Sequence, residues 1–299
     1  MGNFDTMTFL IVLSLEAITG LFSNFFIIFS LSGCKRKNII TSNLILIYLC
    51  ISNVLYTIIM YANVLINLIW QQIAQQIYIC RFIDYMTLYI ITSSVWLTAS
   101  LSCFYFAKIV DIRSRVLAWV KKKIGAVVRG MILTAEIVSL CGSFLSLLIS
   151  THQPAQQNSS LSAANVTSEL KQSSLNFMNI VLILNILPAL VAVTATGGSA
   201  GYLKLYDQQM KRNMAANVNT NMKDYQRAVH TMVYHIAFYI LLILVNLVAG
   251  LLAFADNSWE HWISMMILSS FGAVQSAILI HGNPKLQKYL KWIISIFCV

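Results

Sequence analysis

Seven long apolar runs separated by short polar gaps constrain this chain more than anything else in its sequence. About 20 consecutive apolar residues cross a bilayer as a helix, and only helices or closed barrels satisfy the backbone inside hydrocarbon. The strict alternation of barrel strands is absent. The runs therefore predict helices at approximately 8–32, 39–68, 82–110, 127–149, 177–205, 230–254 and 261–282. Composition points the same way: 58% of the 299 residues are hydrophobic and 10% are charged, where a soluble domain is about 25% charged. Mean hydropathy is +0.74. The expected fold class is an all-α membrane protein, a seven-transmembrane-helix bundle forming a single domain over residues 1–299. The first run is too long for a secretory signal and ends at Lys35-Arg36-Lys37, so it is expected to be a retained helix.

The net charge of +10 is informative through its placement. Basic residues favour cytoplasmic loops. Putting the C-terminus in the cytoplasm gathers Lys35, Arg36 and Lys37, the run from Lys108 to Arg129, the run from Lys204 to Arg227, and Lys285, Lys288 and Lys291 on the inner side. Only Arg81 and Lys171 then lie outside. The N-terminus is accordingly expected to be extracellular, which rejects the myristoylation-like Met1-Gly2…Thr6. The two N-x-[ST] sequons, at Asn158 and Asn165, both fall in the 150–176 segment that this orientation places outside, as glycosylation requires. Basic residues confined to gaps between apolar runs do not form a nucleic-acid surface.

Chemistry-bearing residues are sparse. There is no GxSxG, HExxH or phosphate-cradling glycine loop, so no enzyme is expected. The five histidines and six cysteines show no metal-ligand or CxxC spacing. No metal or cofactor is expected. Gly197-Gly198 reads as close helix packing. Charge within the membrane is costly, which singles out Glu16 and Glu136. Glu16 suits a hydrogen-bonded role between helices or at a ligand cavity, whereas no partner is assigned to Glu136. Along the third span, Asp84, Leu88, Ile91, Val95, Thr98, Ser102 and Tyr105 recur at helical spacing as one stripe. Tyr239, Ile243 and Asn246 do so on the sixth, and Met265, Leu268 and Gly272 on the seventh. Pro188 removes one backbone hydrogen bond in the fifth span and is expected to bend it. No paired half-helices of the transporter kind are visible. The inner loop at Met214-Ala-Ala-Asn-Val-Asn-Thr-Asn is polar, and the tail is too short for a domain.

Against this background, Trp96-Leu97-Thr98-Ala99 followed by Phe104-Tyr105-Phe106-Ala107-Lys108-Ile109 resembles the third-helix signature of the type 2 (bitter) taste receptors, a branch of the G-protein-coupled receptors. Glu16, Gly20 and Asn24 match that family's first-helix pattern. Leu187-Pro188 resembles its fifth-helix motif and Phe238-Tyr239 its sixth. Ser276, Leu279-Ile280, Gly282-Asn283 and Lys285-Leu286 resemble its seventh. The matches run from residue 16 to residue 286. Three departures stand out. Asn53 occupies a position where members usually carry Arg, Gln275 one where they carry His, and Thr87 and Ile91 stand where many place Trp and Asn.

The resemblance implies a ligand-gated switch in the plasma membrane. A small, largely apolar agonist would enter the outer half of the bundle, and the inner ends of helices three, five and six would separate. Leu88, Ile91, Leu182, Ile243 and Met265 would supply apolar lining. Thr87, Tyr239 and Asn246 would orient the ligand, with Asp84 and Asn67 completing the set. Tyr105, Lys108, Lys211 and Arg212 would face a heterotrimeric G protein of the inhibitory, gustducin-like class, and the basic inner loops would face membrane lipids. A vomeronasal type 1-like pheromone receptor, a non-receptor transporter and a structurally intact but silent receptor are the alternatives.

Overall fold

With no water to bond to in hydrocarbon, each long apolar run must close its own backbone hydrogen bonds, and helices are what form. In the computed structural model, residues 3–32, 41–70, 76–110, 115–151, 163–212, 219–252 and 258–297 are described, and no strand occurs among them. The helices are α1 (Asn3–Ser32), α2 (Thr41–Ile69), α3 (Ile77–Ile109), α4 (Arg115–Lys122), α5 (Ile124–Thr151), α6 (Ala163–Arg212), α7 (Asn219–Leu252), α8 (Ser258–Ser269), α9 (Phe271–Gly282) and α10 (Pro284–Phe297).

Six of them, α1, α2, α3, α5, α6 and α7, are long and apolar enough to cross a membrane. The run expected at 261–282 is divided into α8 and α9. Helical bonding nevertheless passes through the junction: Ser270 N–H donates to Met266 O (3.1 Å) and Val274 N–H to Ser270 O (2.9 Å).

Three expectations need correction. The 150–176 segment is helical from Ala163 onward, so α6 is 50 residues long with Pro188 inside it, and Asn165 lies in its first turn rather than in a loop. The polar stretch at 214–221 is helical from Asn219, and its earlier residues lie outside the described ones, as does Asn158. Two short helices, α4 and α10, occupy what read as a loop and a tail.

Antiparallel succession explains the packing. One end of the bundle is filled by Leu31, Ile45, Phe104, Val128 and Leu286, drawn from α1, α2, α3, α5 and α10. The other end joins Phe9, Leu13 and Val64, with Met265 and Met266 against them. α3 is the central helix, packed against α2, α5, α6 and α7. Within its stripe Leu88, Val95, Thr98 and Ser102 are buried. Outward faces are large and apolar, as with Ile11, Leu15, Ile18 and Phe22 on α1 or Leu133, Ile137 and Phe144 on α5. A soluble monomer does not leave such faces bare, whereas lipid covers them.

Small residues let the helices approach closely. A Cβ added at Gly20 would stand 3.3 Å from the Ala273 nitrogen, and one at Gly272 would strike the Thr57 hydroxyl. The Gly197-Gly198 pair divides in two. Gly198 faces Phe106 of α3, whose ring would lie 2.7 Å from an added Cβ, while Gly197 has open space beside it.

Candidate functional site

Three junctions among the buried polar side chains bear on the expected site. The first ties α1 to α2, α8 and α9. Asn24, fully buried, donates through Nδ2 to Gly20 O (2.8 Å) and Gly272 O (3.0 Å). Its Oδ1 accepts from Asn53 Nδ2 at 3.2 Å. Ser23 and Ser276 share a hydroxyl bond of 2.6 Å. Ser269 donates to Glu16 Oε2 at 2.5 Å, so Glu16 does serve as a hydrogen-bonded link between helices. Asn53 thus fills its site as a neutral amide that bridges α2 to α1, with Oδ1 finding no protein partner.

The second junction joins α3, α7 and α9 through a single phenol. Gln275 Nε2 donates to Tyr239 Oη at 3.0 Å, and Tyr239 Oη lies 3.3 Å from Thr98 Oγ1. The amide of Gln275 is therefore matched to a phenol, and its Oε1 finds no protein partner. Below the hydroxyl, the Tyr239 ring sits 5.9 Å from Phe271. Phe271 stacks on Phe238 at 6.0 Å and meets Tyr56 edge-on at 4.8 Å. Tyr56 in turn donates to Leu268 O at 3.0 Å, just ahead of the α8–α9 break.

The third junction joins α3 to α5 and corrects the expectation for Glu136. This carboxylate accepts from Tyr89 Oη at 2.6 Å and from Ser93 Oγ at 2.9 Å. Tyr89 and Ser93 are four residues apart, one helical turn, so both hydroxyls reach the same carboxylate. A costly intramembrane Glu opposite two hydroxyls at that spacing was the available signal.

The residues expected to line a ligand cavity divide accordingly. Ile91 and Met265, both half-buried, pack with Tyr239 into one cluster that also holds Tyr56, Ile90 and Phe271. Met265 bridges this cluster to the one around Phe9 and Leu13. Leu88 is fully buried, while Thr87, Leu182 and Ile243 are half-buried. Asp84 and Asn67 are exposed, and Asn67 donates back to Asn63 O (2.8 Å) and Asn63 Oδ1 (2.9 Å) on its own helix. The Asn246 side chain lies outside the described residues.

At the opposite end, Tyr105 is half-buried rather than free. It packs with Ile109, Leu203 and Val229 from α3, α6 and α7 and meets Phe104 edge-on at 5.4 Å. Lys108 is exposed, and the side chains of Lys211 and Arg212 lie outside the described residues. Among the described residues, no group of three or more His, Cys, Asp or Glu comes together as a metal centre needs.

Helices are tied together by hydroxyls and amides, with the half-buried Ile91 and Met265 in the cluster on one side and the Tyr105 cluster on the other. The profile described as Taste receptor protein (TAS2R) matches residues 1–297. The chain is similar to Taste receptor type 2 member 40 of Gallus gallus, 24% identical over 296 residues that cover 95% of this chain and 93% of that protein. It is also similar to Taste receptor type 2 member 8 of Papio hamadryas, 25% identical over 293 residues covering 94% and 93%. A shorter stretch of 116 residues, 38% of this chain and 37% of the relative, is 35% identical to Taste receptor type 2 member 114 of Rattus norvegicus. The chain belongs to the taste receptor protein (TAS2R) family. It is a multi-pass membrane protein from a receptor family, and this membership stands against the pheromone-receptor and transporter alternatives.

Proposed function

We propose that this bitter taste receptor takes a small, largely apolar agonist between α3, α7 and α8 and answers by loosening the α3–α7–α9 junction. The observation that carries the proposal is the packing of Ile91 and Met265 against Tyr239, whose hydroxyl also faces Thr98 and Gln275. An agonist that displaces these apolar groups acts on the Tyr239 ring, and its differential affinity for the loosened arrangement sets how far the equilibrium moves. Leu88, Thr87, Leu182, Ile243 and Asn246 complete the lining, with Asp84 and Asn67 at the rim. Separation of α3, α6 and α7 at the other end uncovers Tyr105. Beside it, Lys108, Lys211 and Arg212 meet a heterotrimeric G protein of the gustducin-like, inhibitory class.

This reading takes the chain as one seven-span domain over residues 1–299 in the plasma membrane, with α8 and α9 together forming the last span. The N-terminus is outside, and Asn158 and Asn165 are available for glycans. Lys and Arg concentrated at the α4 and α10 end support that orientation, with these segments beside the lipid headgroups. The test is intracellular calcium in cells carrying an N-terminally tagged receptor and a gustducin-chimeric Gα, challenged with a panel of bitter compounds. A response that requires the Gα and weakens in Ile91→Ala and Met265→Ala at unchanged surface labelling is expected. A response that needs no G protein, or that both variants leave at full potency, overturns the proposal.

A further inference from the structure

Counting protons at the first two junctions leaves three buried polar atoms over. Thr98 gives its one hydroxyl proton to Ser94 O (2.9 Å), so in its contact with Tyr239 the phenol donates and Thr98 accepts. The Tyr239 oxygen is then the acceptor for Gln275 Nε2, which turns Gln275 Oε1 away from it. Likewise, Asn24 spends both Nδ2 protons on Gly20 O and Gly272 O. Its Oδ1 takes a proton from Asn53 Nδ2, and this fixes Asn53 Oδ1 as the other end of that amide. Asn53 Oδ1, Gln275 Oε1 and Ser94 Oγ find no hydrogen-bond partner among the described residues. All three side chains are 0% exposed.

Helix register sets the three at one level. α2 and α9 run antiparallel: Tyr56 meets Phe271, and the Asn53 carbonyl stands 3.3 Å from where a Cβ at Gly272 would lie. One turn beyond the aromatic pair, Asn53 on α2 is therefore opposite Gln275 on α9. α3 brings Ser94 to the same level, because its neighbour Ser93 lies 3.5 Å from Ser52, the residue next to Asn53. Ser94 also shares a face with Thr98, one turn on. It approaches the Tyr239 hydroxyl without closing a hydrogen bond to it.

Two acceptors and one donor at one level complement a single water molecule, which has two protons to give and a lone pair with which to accept. Three bonds is the usual number for a buried water. A cation fits less well. The nearby carboxylates are engaged elsewhere, Glu16 by Ser269 and Glu136 by Tyr89 and Ser93, so neither offers a counter-charge. We propose that Asn53, Ser94 and Gln275 bind one structural water, which donates to Asn53 Oδ1 and Gln275 Oε1 and accepts from the Ser94 hydroxyl. The water joins the α1–α2–α9 junction to the α3–α7–α9 junction and holds the Gln275 amide in the orientation that donates to Tyr239. Asn53 and Ser94 are thereby positioning residues for the Tyr239 junction, a consequence that rests on the function proposed above.

The test is a density map of the full receptor in detergent, at a resolution that shows ordered water, together with thermal unfolding of variants of the same chain. A peak within hydrogen-bond distance of all three atoms is expected. Ser94→Ala takes one partner from the water and should lower the unfolding midpoint by about 2 °C. Combined with Gln275→Leu, it should cost less than the sum of the two changes. The Ser143 hydroxyl is bonded within its own helix to Ser139 O, so Ser143→Ala should add to Gln275→Leu independently. Replacing sodium chloride by choline chloride at equal ionic strength should leave the wild-type midpoint in place. No peak, with Ser94→Ala at or above the wild-type midpoint, overturns the proposal, since deleting an unpartnered buried hydroxyl costs nothing. A midpoint that rises with sodium overturns it in favour of a cation. In cells, Ser94→Ala should raise agonist-free signalling at matched surface expression. Unchanged signalling beside the peak and the non-additivity leaves the water in place and overturns the switch reading of Tyr239 instead.

Discussion

Two of the hydroxyl ties that α3 makes, one toward α5 and one toward α7 and α9, differ in kind. Toward α5, a carboxylate accepts two hydroxyls at 2.6 and 2.9 Å. Toward α7 and α9, one phenol holds neutral partners at 3.0 and 3.3 Å. The Glu136 bonds are the shorter pair, and both hydroxyls come from one turn of α3. In the proposed mechanism the α3–α5 tie is the fixed seam, and the α3–α7 tie is the one a ligand's modest differential affinity breaks. A receptor needs both: a rigid half to move against and a half that moves.

The sharpest way to break the comparison is at the strong seam. Glu136→Leu leaves Tyr89 and Ser93 without their acceptor inside the membrane and should cost about 3 kcal/mol. A lowered midpoint of thermal unfolding in detergent would report it, and Glu136→Gln should retain most of the stability. A smaller effect belongs to the weak tie. Tyr239→Phe keeps the ring on Phe271 and removes only the hydroxyl, costing about 1 kcal/mol of stability while raising agonist-free signalling.

Two adjacent glycines then give an internal contrast. Gly198→Ala drives a Cβ into the Phe106 ring and should lower the unfolding midpoint, whereas Gly197→Ala meets open space and should leave it in place. The smallest effect is expected at Asn67→Ala, because the amide is already bonded to Asn63. Agonist potency measured by calcium response should stay within about threefold, the size of a fraction of one hydrogen bond.

The parts of this molecule that were legible in sequence are those where one physical demand dominates. Uniform apolarity over more than 18 residues located α1, α2, α3, α5 and most of α6 and α7, because lipid leaves the backbone no alternative. The cost of a membrane carboxylate flagged Glu16, and Ser269 supplies its partner. Where demands compete, the sequence was silent. α4 and α10 mix lysine with apolar residues, so a hydropathy average passes over them, although residues such as Leu286 are wholly buried. The N-terminal part of α6 is polar and helical together, a combination that apolar runs do not predict.

The partner of Glu136 required knowing that α3 and α5 face one another at that depth, which is tertiary information. For the residues expected to face a ligand, helical spacing grouped those of α3 and of α7 by face. It did not separate Leu88 and Tyr239, which are buried, from Asp84 and Asn67, which are exposed.

The central claim is that the Tyr239 hydroxyl, shared between Thr98 and Gln275, holds the receptor silent. It is tested most directly by agonist-free G-protein signalling at matched surface expression in Tyr239→Phe, Gln275→Leu and the double variant. The account predicts a raised basal signal in each single variant and no rise in the double beyond that of Tyr239→Phe, which already removes the hydroxyl from both Gln275 and Thr98. Basal signalling at the wild-type level in Tyr239→Phe, or independent addition of the two effects, would contradict it.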